Sequence, residues 1–188
     1  MQLTEEQQLI QDMAKSFAQE QIKPYAGEWD QKGIFPKDAL AQMGQLGFMG
    51  MLIPEEWGGS GTGTLAYVLA LEEVAAADGA TSAIMSVHNS VGCVPILKFG
   101  TEQQKQQFLV PLAQGEMIEA FALTEPHTGS DAAAIKTRAI KDGEHYIING
   151  SKQFITSGHN AGMIIVFAVT DPSAGKKGIS AFLVPRNT

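Results

Sequence analysis

Two short stretches of the chain concentrate the groups that could hold a polar ligand: hydroxyl side chains, glycines and backbone N–H groups. The first is Phe121-Ala-Leu-Thr-Glu-Pro-His-Thr-Gly-Ser-Asp131. Pro126 fixes one φ angle, and Gly129 lets the backbone approach a ligand closely. Three short side chains can act as donors: Thr124, Thr128 and Ser130. This chemistry suits an anion or the polar edge of a cofactor, although the stretch on its own is more simply an ordinary turn before a strand.

The second stretch, Asn149-Gly-Ser-Lys-Gln-Phe-Ile-Thr-Ser-Gly158, lies one hairpin downstream, and the pair is more specific than either alone. Leu123-Thr-Glu-Pro-x-x-Gly-Ser-Asp131 with Asn149-Gly-x-Lys-x-Phe-Ile-Thr156 resembles the flavin-binding signature of the acyl-CoA dehydrogenases. The resemblance covers residues 4–185. Ile84-Met-Ser-Val-His-Asn89 and Lys177-Gly-Ile-Ser-Ala-Phe-Leu-Val184 are most similar to the short-chain and branched short-chain members, the butyryl- and isobutyryl-CoA dehydrogenase types.

The resemblance implies FAD as cofactor. It implies that residues 121–124 line the isoalloxazine, that Gly129 and Ser130 approach the pyrophosphate and the thioester ligand, and that Thr156 offers its hydroxyl near N5. Phe154 would lie against the ring face, where most members have Trp. The cofactor-binding residues implied in this way are Phe121, Ala122, Leu123, Thr124, Gly129, Ser130, Phe154, Ile155 and Thr156, with Ser130 also binding substrate.

Dehydrogenation of an acyl thioester needs a base with a raised pKa facing the flavin across the substrate. Glu125 lies in the first stretch, but the family places its catalytic Glu in a C-terminal helical domain. We therefore expect no catalytic residue in this chain, and we interpret it as the N-terminal portion of such an enzyme or one piece of a split enzyme. We also expect no metal site, since a single cysteine gives no Cys-based zinc site. The alternative is a truncated, non-catalytic helical binding or assembly module without flavin.

Partners are implied by the same resemblance: an acyl-CoA substrate, electron-transfer flavoprotein, and other copies of the chain in a homotetramer.

The composition of the chain argues against several classes of protein. The chain has 188 residues, 44% hydrophobic and 18% charged, with a net charge of −7, which disfavours nucleic-acid binding. A single cysteine, Cys93, excludes an intramolecular disulfide. No uninterrupted apolar run approaches the ~18 residues that cross a bilayer, so we expect no membrane span and a cytoplasmic protein.

The chain up to residue 117 has helical periodicity. Thr4-Glu-Glu-Gln7 and Thr101-Glu-Gln-Gln104 have the capping-box pattern that begins a helix. We expect Pro24 to end the first helix, residues 49–53 to be extended, and residues 65–77 to be helical. The glycine-rich residues 56–63 lack the strand and the Gly-Lys-Ser/Thr of a phosphate loop, so we predict a tight connection there.

A further apolar helix is predicted over residues 83–97. It carries His88 and Asn89 at its middle, where buried polar groups must find partners. Two explanations remain open: satisfied core residues, which base rates favour, or residues near an acyl pocket.

After residue 117 the period changes from about 3.6 to 2, as expected for a switch from helix to sheet. Residues 135–140 alternate, Asp142-Gly143 and Asn149-Gly150 are hairpin signals, and residues 163–169 and 179–184 are apolar strands. The sequence predicts an α+β multidomain protein: an all-α domain over residues 1–117, then an antiparallel β-domain over residues 118–188 that includes a meander. The resemblance implies that residues 118–188 are the first part of an antiparallel β-barrel-like domain, with the family's C-terminal helical domain absent.

Overall fold

The structure, a computed structural model, describes residues 2–188 and divides into two compact units, Met1–Ile118 and Glu119–Thr188. The first unit is helical. Its α-helices are α1 (Glu5–Phe17), α2 (Lys23–Lys32), α3 (Lys37–Gln45), α4 (Gly63–Ala77), α5 (Gly79–Val87), α6 (Val94–Phe99), α7 (Glu102–Gln104) and α8 (Val110–Ala113), with a 3-10 turn at Glu55–Trp57 and π-helical segments at Ala18–Ile22, His88–Cys93 and Lys105–Leu109.

Both capping boxes are confirmed. The Thr4 hydroxyl accepts the Gln7 N–H (3.2 Å), and the Gln7 side chain accepts the Thr4 N–H (3.1 Å). Thr101 and Gln104 make the same reciprocal pair at 3.2 and 2.9 Å. Each box satisfies two backbone donors that a helix N-terminus would otherwise leave without intrahelical partners.

The prediction that Pro24 ends the first helix is wrong. A π-helical segment, Ala18–Ile22, lies immediately before Lys23-Pro24, and the helix continues to Lys32, beyond which Gly33 adopts φ +62°. Pro95 and Pro111 also occupy the second position of an α-helix that follows a π-helical segment. Because proline lacks an N–H and its ring collides with the carbonyl four residues back, a wider turn just before it removes the conflict without ending the helix.

The core of the helical unit comes from α1, α3, α4 and α5, from the π-helical segment after α1 and from the turns after α3. It includes Phe17 and Phe48, whose rings meet edge to face with centroids 6.2 Å apart. Residues 49–53 form consecutive turns, so the expectation of an extended segment is wrong. The glycine-rich connection is tight as predicted, since a Cβ at Gly59 would overlap the Ile53 and Gly50 carbonyl oxygens.

Asn89 holds these turns in place. Its side-chain N–H groups donate to the Phe48 and Met85 carbonyls (2.8 and 3.1 Å), and its oxygen accepts the Met51 N–H (2.9 Å). His88, also buried, donates from Nε2 to the Leu112 carbonyl (2.9 Å), and burial lowers its pKa to about 4, a fall that this hydrogen bond partly opposes. These partners support the interpretation of both residues as satisfied core groups.

By length and composition, the helix Gly79–Phe99 could cross a membrane. It is also the helix that contains His88 and Asn89, and 44% of its most apolar window is buried inside the protein. A helix that packs in a protein core passes the same test, and the buried hydrogen bonds of His88 and Asn89 favour that interpretation.

The second unit is a five-stranded sheet. Its strands are β1 (Glu119–Ala122), β2 (Arg138–Asp142), β3 (His145–Asn149), β4 (Met163–Val169) and β5 (Ile179–Pro185), with 3-10 turns at Ala132–Ala134 and Pro172–Gly178. β4 pairs with β1 in parallel, from Glu119 opposite Met163 to Ala122 opposite Val166, and with the whole of β5 in antiparallel orientation. β2 and β3 form the expected hairpin, and β2 meets the end of β4 in parallel at Arg138 and Val169.

The predicted order of a helical domain followed by a sheet domain is confirmed. The sheet is mixed, so the expectation of an antiparallel meander is wrong: β1 runs parallel to a strand that follows the β2–β3 hairpin in the chain. Asn149-Gly150 does not form a second hairpin, because the chain enters irregular turns there instead of returning along β3. Alternating hydrophobicity identifies strands but not their directions or partners.

We predict that Asn89→Leu lowers the free energy of unfolding of the helical unit by about 2–5 kcal/mol, because it leaves the buried Met51 N–H and Phe48 carbonyl unsatisfied. Urea titration followed by far-UV circular dichroism measures this. Ser90→Ala is the control: the Ser90 hydroxyl donates only to the Ser86 carbonyl of its own helix (2.6 Å), and its loss should cost less than about 1 kcal/mol. Equal losses in the two variants would contradict the assignment.

Candidate functional site

The first turn, residues 123–131, follows β1 directly. The Glu125 N–H donates to the Thr128 carbonyl (2.9 Å) and the Thr128 N–H returns to the Glu125 carbonyl (3.1 Å), closing a loop around Pro126 and His127. The Thr128 hydroxyl donates to the Asp131 carbonyl (2.6 Å). The intervening Gly129 and Ser130 are therefore held on an exposed rim with their backbone available to a ligand.

Gly129 is not required by the packing of the chain. Its φ lies outside the left-handed region, and an added Cβ would meet only the Thr124 methyl group at 3.8 Å, an ordinary contact. A glycine that the fold does not need is consistent with close approach of a molecule other than the chain itself.

The second turn, residues 150–158, contains strained backbone. Phe154 (φ 58°) and Ser157 (φ 61°) are the two non-glycine residues with left-handed φ among those described. Such a conformation costs of order 1–3 kcal/mol per residue and is concentrated at ligand sites. Phe154 is 85% exposed, so it does not belong to the core of the sheet unit. The left-handed backbone conformation goes together with a Phe154 ring that lies on the outside of the unit.

The two turns are adjacent. The Gln153 N–H donates to the Thr124 carbonyl (2.9 Å), which brings residues 121–124 against the segment that begins the second turn. Ala122 is buried in β1, whereas Phe121, Leu123 and Thr124 are half-buried. In the second turn Ile155 and Thr156 are also half-buried. Gly129 and Ser130 lie farther along the first turn.

A groove of about 480 Å³ opens beside the first turn. Apolar side chains and one ammonium group line it: Leu123, Ala132, Ala133, Phe167, Lys176, Ile179 and Ala181. Phe167 also contacts Phe121, with ring centroids 4.9 Å apart, so the groove continues from the strand that leads into the first turn. Such a lining suits an amphipathic ligand with an anionic group near Lys176.

Glu125 is buried, with its side chain 2% exposed. Its oxygens accept the backbone N–H groups of Lys136 (2.6 Å) and Thr137 (2.9 Å) and the Lys152 ammonium (2.9 Å). Burial alone would raise the pKa of Glu125, but these donors, together with the Thr137 hydroxyl nearby, outweigh it and lower the pKa from 4.5 to about 2. A carboxylate so stabilised in its ionised form is a poor proton acceptor.

Glu119, at the start of β1, has the opposite property. Burial raises its pKa to about 8, and the residue is only 1% exposed. It is therefore protonated at neutral pH but enclosed by protein, so it cannot face a ligand in solution. The sequence carries no signal for either shift, because both depend on what surrounds the carboxyl group.

The pKa shift of Glu125 has a consequence for stability. Because the folded-state pKa lies below the unfolded value, the ionised carboxylate stabilises the fold fully above about pH 4.5, and this contribution is lost as pH falls through about 2. We predict that Glu125→Gln lowers the free energy of unfolding by about 2–3 kcal/mol at neutral pH. The difference in free energy from the wild type should shrink as the pH falls from about 4.5 toward about 2.

Urea titrations at neutral pH and at about pH 3 measure this difference. Glu28→Gln is the matched control, because Glu28 pairs with Lys32 (2.6 Å) while both side chains stay more than half exposed, and such pairs contribute at most about 1 kcal/mol. A Glu125→Gln difference that is independent of pH would show that shape, not charge, carries the effect.

Comparison with known proteins agrees with this arrangement. Residues 4–116 match the N-terminal domain of the acyl-CoA dehydrogenases, and residues 120–188 match the middle domain. The chain is 46% identical over 184 residues to the short-chain specific acyl-CoA dehydrogenase of Clostridium acetobutylicum, covering 98% of this chain and 48% of that protein.

Solved structures give the same result. Butyryl-CoA dehydrogenase from Megasphaera elsdenii superposes with a TM-score of 0.94 at 42% identity, covering 100% of this chain and 50% of that one. An acyl-CoA dehydrogenase from Bacillus anthracis, complexed with FAD, superposes with a TM-score of 0.90 at 34% identity. The match covers 98% of this chain and 31% of that one. The chain thus spans about half the length of the curated relatives it matches. The resemblance drawn from the two stretches is confirmed, and the chain belongs to the acyl-CoA dehydrogenase family.

Proposed function

We propose that this chain binds FAD through its two turns and supplies the flavin-binding part of an enzyme that dehydrogenates a short acyl-CoA thioester between its α and β carbons. The observation that carries the proposal is Phe154, an exposed aromatic ring held in strained backbone beside Gln153, whose N–H is bonded to the first turn. An exposed aromatic on a rigid turn is suited to cover a flat ring system.

The residues of the two turns fit FAD. Phe154 would lie against the isoalloxazine, and the half-buried Thr156 would direct its hydroxyl toward N5. Gly129 and Ser130 would offer backbone and hydroxyl donors to the pyrophosphate, with Ser130 also reaching the thioester ligand. When bound, FAD accepts the hydride from the substrate, whereas the protein positions and tunes it.

The proton acceptor is a separate requirement, and we propose that chain beyond these residues supplies it. Among residues 2–188 three carboxyl groups have shifted pKa values. The pKa values of Glu125 and Asp171 are lowered, and that of Glu119 is raised but its side chain is enclosed. None of the three is both accessible and raised in pKa, as a base of this kind must be.

The substrate proposal is a short, straight or branched acyl-CoA. It is supported by the short-chain specificity of the Clostridium acetobutylicum relative, by the name of the butyryl-CoA dehydrogenase, and by the apolar groove with Lys176. By family resemblance we also propose electron-transfer flavoprotein as the electron acceptor and a homotetrameric assembly. The cytoplasmic location is a proposal from the sequence pattern alone.

The direct test is titration of the chain with FAD, followed by flavin fluorescence. Binding with a shift of the visible flavin absorption supports the proposal. A chain that folds but leaves FAD fluorescence and absorption unchanged would favour the alternative, a helical binding or assembly module without flavin.

Thr156→Val keeps the shape of the side chain and removes its donor. We predict that FAD affinity falls about 2- to 10-fold, the equivalent of one net hydrogen bond, with the fold unchanged. The control is Thr64→Val on the exposed face of α4. Thr170 would be unsuitable as a control, because its hydroxyl makes hydrogen bonds with the Gly178 carbonyl (3.0 Å) and the Ser180 hydroxyl (2.8 Å), and their loss would affect the fold. Equal affinity in Thr156→Val and wild type would remove Thr156 from the site.

Two glycine substitutions separate binding from folding. In Gly129→Ala we expect the free energy of unfolding to stay within about 0.5 kcal/mol of wild type while FAD affinity falls about tenfold or more. Within the chain the new methyl group makes only an ordinary contact with the Thr124 methyl group, whereas it would obstruct the ligand. In Gly150→Ala the new Cβ overlaps the Thr137 side chain, so the fold itself should lose about 1–3 kcal/mol. Undiminished FAD affinity in Gly129→Ala would contradict the assignment of the first turn to the cofactor.

A further inference from the structure

We propose that Lys152 and Glu125 are positioning residues: they form a buried ion pair that sets the spacing of the first and second turns, so that flavin retention depends on charges that do not contact the flavin. This inference rests on the proposed FAD site. Glu125 and Lys152 both stand in the two motif stretches, but neither is among the residues assigned to the cofactor, and the proposal gives them a role.

Lys152 is the side of the pair that belongs to the second turn. Its ammonium group donates to the Leu123 carbonyl (3.0 Å) and to Glu125 Oε1 (2.9 Å). The next residue, Gln153, donates its N–H to the Thr124 carbonyl. Two consecutive residues of one turn therefore bind three consecutive residues of the other, and Phe154 follows directly. The Lys152 side chain is only 12% exposed, so water competes little for these bonds.

Glu125 connects this contact to the sheet. Through the Lys136 and Thr137 N–H groups it is bonded to the segment that leads into β2, and through its own backbone it closes the first turn against Thr128. Displacement of the carboxylate would therefore move three segments together: the rim with Gly129 and Ser130, the entry to β2, and the second turn.

Among residues 2–188, one cationic group, the Lys152 ammonium, lies within hydrogen-bond distance of the Glu125 carboxylate. His127 Nε2 lies 3.6 Å from Glu125 Oε2, beyond hydrogen-bond distance, and it bonds the Ala134 carbonyl (3.2 Å) instead. Loss of the Lys152 ammonium would leave a buried carboxylate without its charge partner, which is costly unless the surrounding segments shift to admit water.

The test uses Lys152→Met, which keeps most of the apolar stem and removes the charge, and Lys152→Arg, which restores a charge. Glu125→Gln breaks the pair from the other side. Lys32→Met, which breaks the exposed pair with Glu28, is the control. FAD titration, the visible absorption of bound flavin, and amide hydrogen exchange of Gln153 without ligand are the three measurements.

In Lys152→Met we expect FAD affinity about tenfold or more below wild type, an altered absorption band, and Gln153 exchange about tenfold or more faster, with unchanged far-UV circular dichroism. Lys152→Arg should recover affinity to within about threefold, because it can still donate to the carboxylate. Lys32→Met should match wild type in every measurement.

Wild-type FAD affinity and wild-type exchange in Lys152→Met would overturn the positioning role. Unfolding of both Lys152→Met and Glu125→Gln would overturn it as well, since the pair would then stabilise the fold as a whole. If the wild type binds no FAD, the proposed function fails and the exchange rate of Gln153 alone decides: faster exchange retains the pair as the device that spaces the turns, and unchanged exchange removes it.

Discussion

The sheet unit depends on one buried carboxylate. Glu125 is enclosed to 2% side-chain exposure, and an ionised group is stable in such a place only when its oxygens are satisfied. Two backbone N–H groups and one ammonium group satisfy them, and these donors come from two different segments of the chain. Because the charge is stable only while these donors surround it, the first turn, the entry to β2 and the second turn must stay together.

This arrangement accounts for the strain in the second turn. Left-handed backbone at Phe154 and Ser157 is unfavourable and persists only where neighbouring contacts overdetermine it. The bonds from Lys152 and Gln153 to the first turn hold the segment on one side, and the Ala161 N–H to Ser157 carbonyl bond (2.8 Å) holds it on the other. The exposed ring of Phe154 is thus presented by a rigid segment, which limits the conformational entropy lost when a ligand covers it.

The helical unit satisfies its buried polar groups in a comparable way. The Asn89 side chain makes two hydrogen bonds with backbone groups of the irregular turns after α3, those of Phe48 and Met51, and one with the Met85 carbonyl of its own helix. Because these backbone groups are satisfied, the turns can be buried. The prolines show a second accommodation, because π-helical segments before Pro24, Pro95 and Pro111 let long helices pass residues that usually end them.

The sequence by itself determined the features whose physical cause is local. Capping boxes, hairpin residues such as Asp142-Gly143, the strand segments and the change of period depend on neighbouring residues, and the motif residues identified the family before any geometry was known. Tertiary structure alone decided the rest. The direction of β1, the exposure of Phe154, the continuation of the helix through Pro24 and the low pKa of Glu125 all depend on groups far away in the chain or on the backbone path, which no local pattern specifies. The motif residues could therefore be located in the sequence, whereas the contacts that orient them could not.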